Sequence, residues 1–297
     1  MEPKVRYMEI TMDQVAGGRL SADQIDAFDR EGVVYLPHMF EREWIEMLQV
    51  GIERNLTDPG PRARVYDRTA DGKVFFYDSD NWCRFPEYEQ FVRKSRCAEI
   101  AAQLMQSEKA FLFFDAIFVR SEGQQFRTPW HQDEPYWSVE GFQTVGIWMP
   151  LVPVEKKSAL MFIPGSHRWE QQYRQKDFGE LNPDGQTVES AKLDGEGWLP
   201  LPDFDAEPQR WGVTSWDMEP GDCVASNGRT FHGGGGRLSP DRNLKVFNTK
   251  WVGDDVRAAF RPRGMQPDHT EKMIAAGMKH GDPLNPKIYP LLWPRAN

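Results

Sequence analysis

From Phe111 onward the chain is built of short apolar runs separated by turns, and this texture constrains its fold more than any other feature. "FLFFDAIFV", "TVGIWMPLV", "ALMFIPGSH", "DCVAS" and "LKVFNTKWV" have the length of strands and are rich in β-branched and aromatic residues. The longest greasy run, Phe111 to Val119, is too short for a membrane span and carries Asp115. Helical patterns precede the strands. "LSADQIDAFDREG" opens with Ser21 as cap and Gln24 as its capping-box partner, and Gly32 ends the helix. "VVYL" then reads as a strand. In "EREWIEMLQVGIERNL" the residues Trp44, Ile45, Leu48 and Ile52 recur with a 3.6-residue period, which predicts a second helix. A third is predicted from about Tyr88 to Met105, after a loop-like stretch from Pro59 to Gly72. Strands following a helical region predict one sandwich or barrel with helices packed on it.

The remaining segments are polar. Residues 170–210 form a Pro- and Gly-rich insertion whose length suits a functional loop, such as a lid. The tail from Arg261 reads as loop, apart from one short helix within Thr270 to Lys279. A net charge of −9 without a basic run argues against nucleic acid or an anionic membrane surface as partner. Three scattered cysteines form no C-x-x-C pair, so neither a disulfide framework nor a zinc–thiolate site is expected. A reducing, cytoplasmic setting is the expectation, and the N-terminus lacks the apolar core of a signal peptide.

The chemistry concentrates in "TPWHQDEPYW", Thr128 to Trp137. His131 and Asp133 stand at i and i+2, which on an extended segment turns both side chains to one face. A third ligand is offered by His232, which precedes four glycines that let the backbone approach closely. Two histidines and one carboxylate leave a face of Fe(II) open for O₂ and a cosubstrate. Zinc accepts the same donors, so a zinc-dependent hydrolase or cupin-type isomerase, or a non-catalytic binding protein, stays open at this level. Among the other histidines, His167 in "PGSHR" reads as a turn residue, and His38, His269 and His280 as surface residues. Trp130, Tyr136 and Trp137 flank the ligand pair and are candidates to wall a substrate pocket. Arg120 and Gln125 lie on the approach and are candidates to contact substrate, Arg120 as a residue of the substrate pocket.

"TPWHQDEPYW", "IWMPLVPV", "ALMFIPGSHRW", "EPGD", "FHGGGG" and "RNLKVF…KWVGDD" together resemble the phytanoyl-CoA dioxygenase family of Fe(II)/2-oxoglutarate oxygenases. The resemblance runs from "LSADQIDAFDREG" to Asp255. It implies a mainly β fold with flanking helices: a double-stranded β-helix, or jelly roll. The expected layout is a single domain over 1–297, with a helical part at about 1–108 packed on a core at about 109–256. It implies His131, Asp133 and His232 as iron ligands, with Trp148 and Thr128 beside the cosubstrate. If that cosubstrate is 2-oxoglutarate, its distal carboxylate needs a cation, and an arginine fork suits it best. Arg242, ten residues after His232, is the expected anchor, and Lys245 is held in reserve because it points to the other face of the strand. Related halogenases replace the carboxylate ligand with a small residue. Asp133 therefore implies hydroxylation, or a related oxidation, of a small-molecule substrate by O₂. The sequence leaves the substrate and the oligomeric state open.

Overall fold

The computed structural model describes residues 19–174, 197–236, 238–261 and 265–295. Only the two ends of the expected insertion are therefore on view; 175–196 lies outside the described residues. In chain order the elements are α1 (Ala22–Glu31), β1 (Val33–Leu36), α2 (Arg42–Thr57), β2 (Arg64–Arg68), β3 (Val74–Ser79), α3 (Pro86–Lys94) and α4 (Cys97–Met105). Then follow β4 (Ala110–Arg120), β5 (Thr128–His131), β6 (Val139–Glu140), β7 (Thr144–Pro150), β8 (Met161–Phe162), β9 (Cys223–Ser226) and β10 (His232–Gly234). The last are β11 (Leu244–Val252), β12 (Arg257–Ala258), α5 (Thr270–Ala275) and β13 (Leu291–Trp293).

Eight strands form one antiparallel sheet in the order β1-β9-β7-β11-β4-β3-β2, with β13 also pairing with β4. A smaller sheet, β5-β10-β8, lies across a cavity from it, and β12 pairs with β6. The result is a jelly roll with helices against the outer face of its larger sheet. Side-chain alternation along β11 shows how the layers divide. Phe247 packs its ring 4.8 Å from Tyr88 and 5.5 Å from Phe91 of α3, and Thr249 Oγ1 lies 3.3 Å from Cys97 Sγ of α4. Leu244, Asn248 and Lys250, of the opposite parity, face the cavity.

The first helix forms as its capping box predicts. Ser21 Oγ accepts from the Gln24 amide, Gln24 Oε1 accepts from the Ser21 amide, and Gly32 closes the helix at φ 69°. Three expectations need correction. The single third helix is two, because Ser95 is extended and its Oγ accepts from the Cys97 amide, which ends one helix and opens the next. The stretch from Pro59 to Gly72 is not all loop: it carries β2, which extends the large sheet by pairing with β3. The tail also contributes β13 to β4.

His269 was expected at the surface and is 1% exposed. Its Nε2 lies 3.0 Å from Asp80 Oδ2 and its Nδ1 3.2 Å from the Tyr289 hydroxyl. These two partners replace the water it would otherwise need. Burial pulls the imidazole from 6.5 down to about 4, although Asp80 acts the other way. Between those values the unfolded chain binds a proton that the folded chain refuses. Stability is therefore expected to fall as the pH drops from 6.5 toward 4, with a slope approaching about 1.4 kcal/mol per pH unit from this residue. Thermal unfolding across that window should show a shallower fall in His269→Gln than in the unsubstituted protein.

Candidate metal centre and its cavity

The strand pairing itself brings the histidines together: His232 on β10 stands directly opposite His131 on β5. Their rings are 4.2 Å apart. Each ring is oriented from behind. His131 Nδ1 donates to the Pro129 carbonyl at 2.8 Å, and His232 Nδ1 donates to the Thr230 carbonyl at 3.0 Å. A carbonyl can only accept, so both Nδ1 atoms carry a proton, and it is Nε2 of each ring that is left to offer a lone pair to a metal. This is the hydrogen-bonding pattern of metal-ligating histidines. Asp133 completes the group, with Oδ1 3.5 Å from His131 Nε2 and 3.7 Å from His232 Nε2. Ligand atoms of these three residues lie within 4.8 Å of one another, which suits a single divalent ion.

The extended geometry assumed for "HQD" is not how the pair is arranged. β5 ends at His131, and Asp133 has helical backbone angles, φ −77° and ψ −46°, at the start of a short turn over Glu134–Tyr136. Upstream, β5 carries a bulge. His131 pairs with His232 and Thr128 with Gly234, so Pro129 and Trp130 oppose Gly233 alone. A Cβ on Gly233 would come 2.8 Å from Trp130 Cα, which is why glycine is needed there. The bulge explains two placements at once. Thr128 and His131 both line the cavity, while Trp130 between them faces outward. Trp130 thus does not wall the cavity. It packs with Phe204, Phe231 and Ile163 under the two described ends of the insertion.

Tyr136, Trp137 and Trp148 do line the cavity, and Arg120 does so at 3% exposure. Phe114, Phe118, Phe75, Tyr77 and Tyr66 supply most of the apolar wall opposite the triad. Gln125 is outside it and donates to the carbonyls of Gly123 and Leu238. Arg242 is also outside: it is exposed, in a turn closed by its amide on the Ser239 carbonyl. Strand parity does not reach Arg242, because β11 begins at Leu244. Lys245 points to the helices' side and pairs with Glu53 at 2.5 Å. His167 sits in the turn Ser166–Arg168, with its Nε2 3.1 Å from the Asp29 carbonyl, as a histidine holding a turn would.

One residue of the site was missed. Lys250, nearly buried, places Nζ 2.5 Å from Asp133 Oδ2. Burial would raise the Asp133 carboxyl, yet Lys250 and the two histidines hold it well below the usual carboxylate range. Burial, with His131 adding to it, takes His232 down to about 3, so its ring is neutral, as a ligand must be. Room for the lysine comes from Gly146, its partner on β7, where a Cβ would lie 2.6 Å from Nζ. The inward parity of Lys250 with Leu244 and Asn248 was available in "LKVFNTKWV".

Comparisons with known proteins agree with this architecture. The jelly roll superposes on the non-heme alpha ketoglutarate dependent carbocyclase SnoK from nogalamycin biosynthesis with a TM-score of 0.70, at 19% identity over 93% of this chain and 100% of that one. EctD from S. alaskensis, solved with 2-oxoglutarate and 5-hydroxyectoine, gives a TM-score of 0.59 at 19% identity over 84% of this chain and 86% of that one. In sequence, ectoine dioxygenase of Bordetella bronchiseptica is 24% identical over 253 residues, covering 77% of this chain and 74% of that protein. Residues 28–244, which hold all three metal-capable side chains, match the family model described as Phytanoyl-CoA dioxygenase (PhyH). The chain belongs to the phytanoyl-CoA dioxygenase family of iron- and 2-oxoglutarate-dependent oxygenases.

Proposed function

We propose that this protein hydroxylates, or otherwise oxidises, an unactivated C–H bond of a small organic molecule, with His131, Asp133 and His232 as the iron ligands. The observation that supports this most is the register of β5 and β10, which sets two correctly protonated histidines face to face at the wall of an apolar cavity. When bound, Fe(II) with 2-oxoglutarate and O₂ supplies the oxidising power, and succinate and CO₂ are released with the oxidised product. The chain's own residues do the rest. Pro129 and Thr230 carbonyls hold the imidazoles in position. Phe114, Tyr136 and Trp137 keep the cavity dry and give an apolar substrate a surface to lie on. Trp148 and Thr128 line the same cavity and are the residues we assign to the cosubstrate. The test is anaerobic titration with Fe(II) and 2-oxoglutarate. A weak visible charge-transfer band is the expected result, followed by a screen for substrates that stimulate succinate release. A zinc hydrolase or a pure binding protein would give no such band.

Lys250 has a distinct part. By holding Asp133 Oδ2 it leaves Oδ1 turned toward both histidines, so the carboxylate can offer one oxygen and no more. Removing the lysine strands a buried negative charge. Lys250→Met is expected to destabilise the metal-free protein by about 3 kcal/mol. Added Mn(II) should recover part of that deficit, because the cation becomes the counter-charge of Asp133. Thermal unfolding with and without Mn(II) reads both effects. Equal unfolding of the variant and the unsubstituted protein without metal would show the pair to be unimportant.

A further inference from the structure

We infer that Arg120, on β4, is the cation that anchors the distal carboxylate of 2-oxoglutarate; this rests on the function proposed above. Arg120 is 3% exposed, and a guanidinium so buried needs an anion. Among the described residues no carboxylate lies within 4.0 Å of it. Asp67 favours the charge through space without touching it; Gln124 lies between them, and its Nε2 donates to Asp67 Oδ2. The hydrogen bonds that Arg120 makes all leave from one nitrogen, Nη2, to the carbonyls of Gln124, Phe126 and Gly236 and to Gln124 Oε1, at 2.6 to 3.3 Å. All of these acceptors are neutral. Nε is buried with no partner.

Position agrees with charge. Arg120 lines the same cavity as the triad. On the sheet it pairs with Leu244, the first residue of β11, where the sequence led us to expect an arginine from β11 itself. Along the inward face of β11 the order is Leu244, Val246, Asn248 and Lys250, and Lys250 touches Asp133. Arg120 therefore stands level with one end of this face, and the metal ligands with the other. Asn248 lies between them with a buried, unpartnered Oδ1. The Phe75 ring, 5.2 Å from the guanidinium carbon, supports the plane of the Arg120 fork. Because Nη2 is already shared among neutral acceptors, the guanidinium meets a carboxylate through its charge and its remaining donors, and a charge-assisted contact of that kind is the stronger sort of hydrogen bond. Arg242, exposed in its turn, has no comparable need of an anion.

Arg120 also ties together the backbone at Gln124, Phe126 and Gly236, so loss of affinity alone would not separate anchoring from bracing. The discriminating probe is 2-oxopentanoate, a 2-keto acid of the same length that lacks the distal carboxylate. Anaerobic Fe(II)-loaded protein is titrated with each keto acid through the charge-transfer band. The unsubstituted protein is expected to favour 2-oxoglutarate by about 100-fold. In Arg120→Met that preference should shrink to a few-fold, with 2-oxopentanoate binding little changed. Arg120→Lys should restore part of it, and Arg242→Ala should leave it as it was. Retention of the full preference in Arg120→Met, the result for an arginine that only braces the loop or binds substrate, overturns the assignment. So does its loss in Arg242→Ala. No band with either keto acid in the unsubstituted protein would overturn the proposed function together with the anchor.

Discussion

Replacing His232 with alanine is expected to lower Fe(II)-dependent release of succinate from 2-oxoglutarate by more than about 100-fold, beyond the cost of losing an outer partner of a metal ligand. The residue is 6% exposed, stands opposite His131 in the ladder, and has its Nδ1 committed to the Thr230 carbonyl. Nothing else among the described residues offers a third metal-capable side chain at this place. Loss of the ring leaves one imidazole and one carboxylate, and Lys250 is already bound to that carboxylate. The variant should therefore lose Mn(II) affinity in calorimetry while keeping its circular dichroism spectrum. Its ring stacks on Phe162 at 5.8 Å, so a modest loss of stability is expected besides. Turnover at the unsubstituted rate would show that the triad is wrongly assigned.

The largest effect on stability is expected from Phe247→Ala. Phe247 is 1% exposed and fills the seam between the large sheet and α3, against Tyr88 and an edge-on Phe91. Truncation removes the transfer free energy of the ring and leaves a cavity that rigid strand and helix backbones cannot close. The cost should be about 3–5 kcal/mol, a fall in melting temperature of roughly 10 °C for a chain of this size. Differential scanning calorimetry reads it directly. A change under about 1 kcal/mol would mean that the helical layer is not held by this contact. Because Asn248 and Lys250 share the strand, part of the loss should also appear as weaker metal binding.

Six strands, β1, β4, β7, β8, β9 and β11, were legible because each lies in an apolar run bounded by turns; α1 was legible by its capping box and α2 by its 3.6-residue period. What escaped was short or depended on a partner. In "RVYDR", β2 has too little apolar character to announce itself, and it becomes a strand by pairing with β3. The break at Ser95 came from one side chain satisfying a backbone amide, which periodicity does not register. His269 looked like a tail residue, since only the fold brings Asp80 and Tyr289 to it. At the site, the residues of the triad stood out by type and order. Lys250 did not, and Arg120 was read as a substrate contact, because a cation within an apolar strand gains its meaning from what lies across the cavity. Arg242 was favoured for nearness in sequence, whereas the sheet sets Arg120 at that level.

The bulge at Pro129 and Trp130 makes the length of this segment a working quantity. Deleting one residue there would remove the bulge: Thr128 and His131 would then share a face by plain alternation, but the local bend and twist that the bulge gives the strand beside His131 would be lost. Lengthening it by one would uncouple the histidine from its partner across the ladder. Surface loops of this chain can absorb insertions and deletions at little cost, but between Thr128 and His131 the residue count itself is under constraint. A variant library that scores substitutions alone would not detect this.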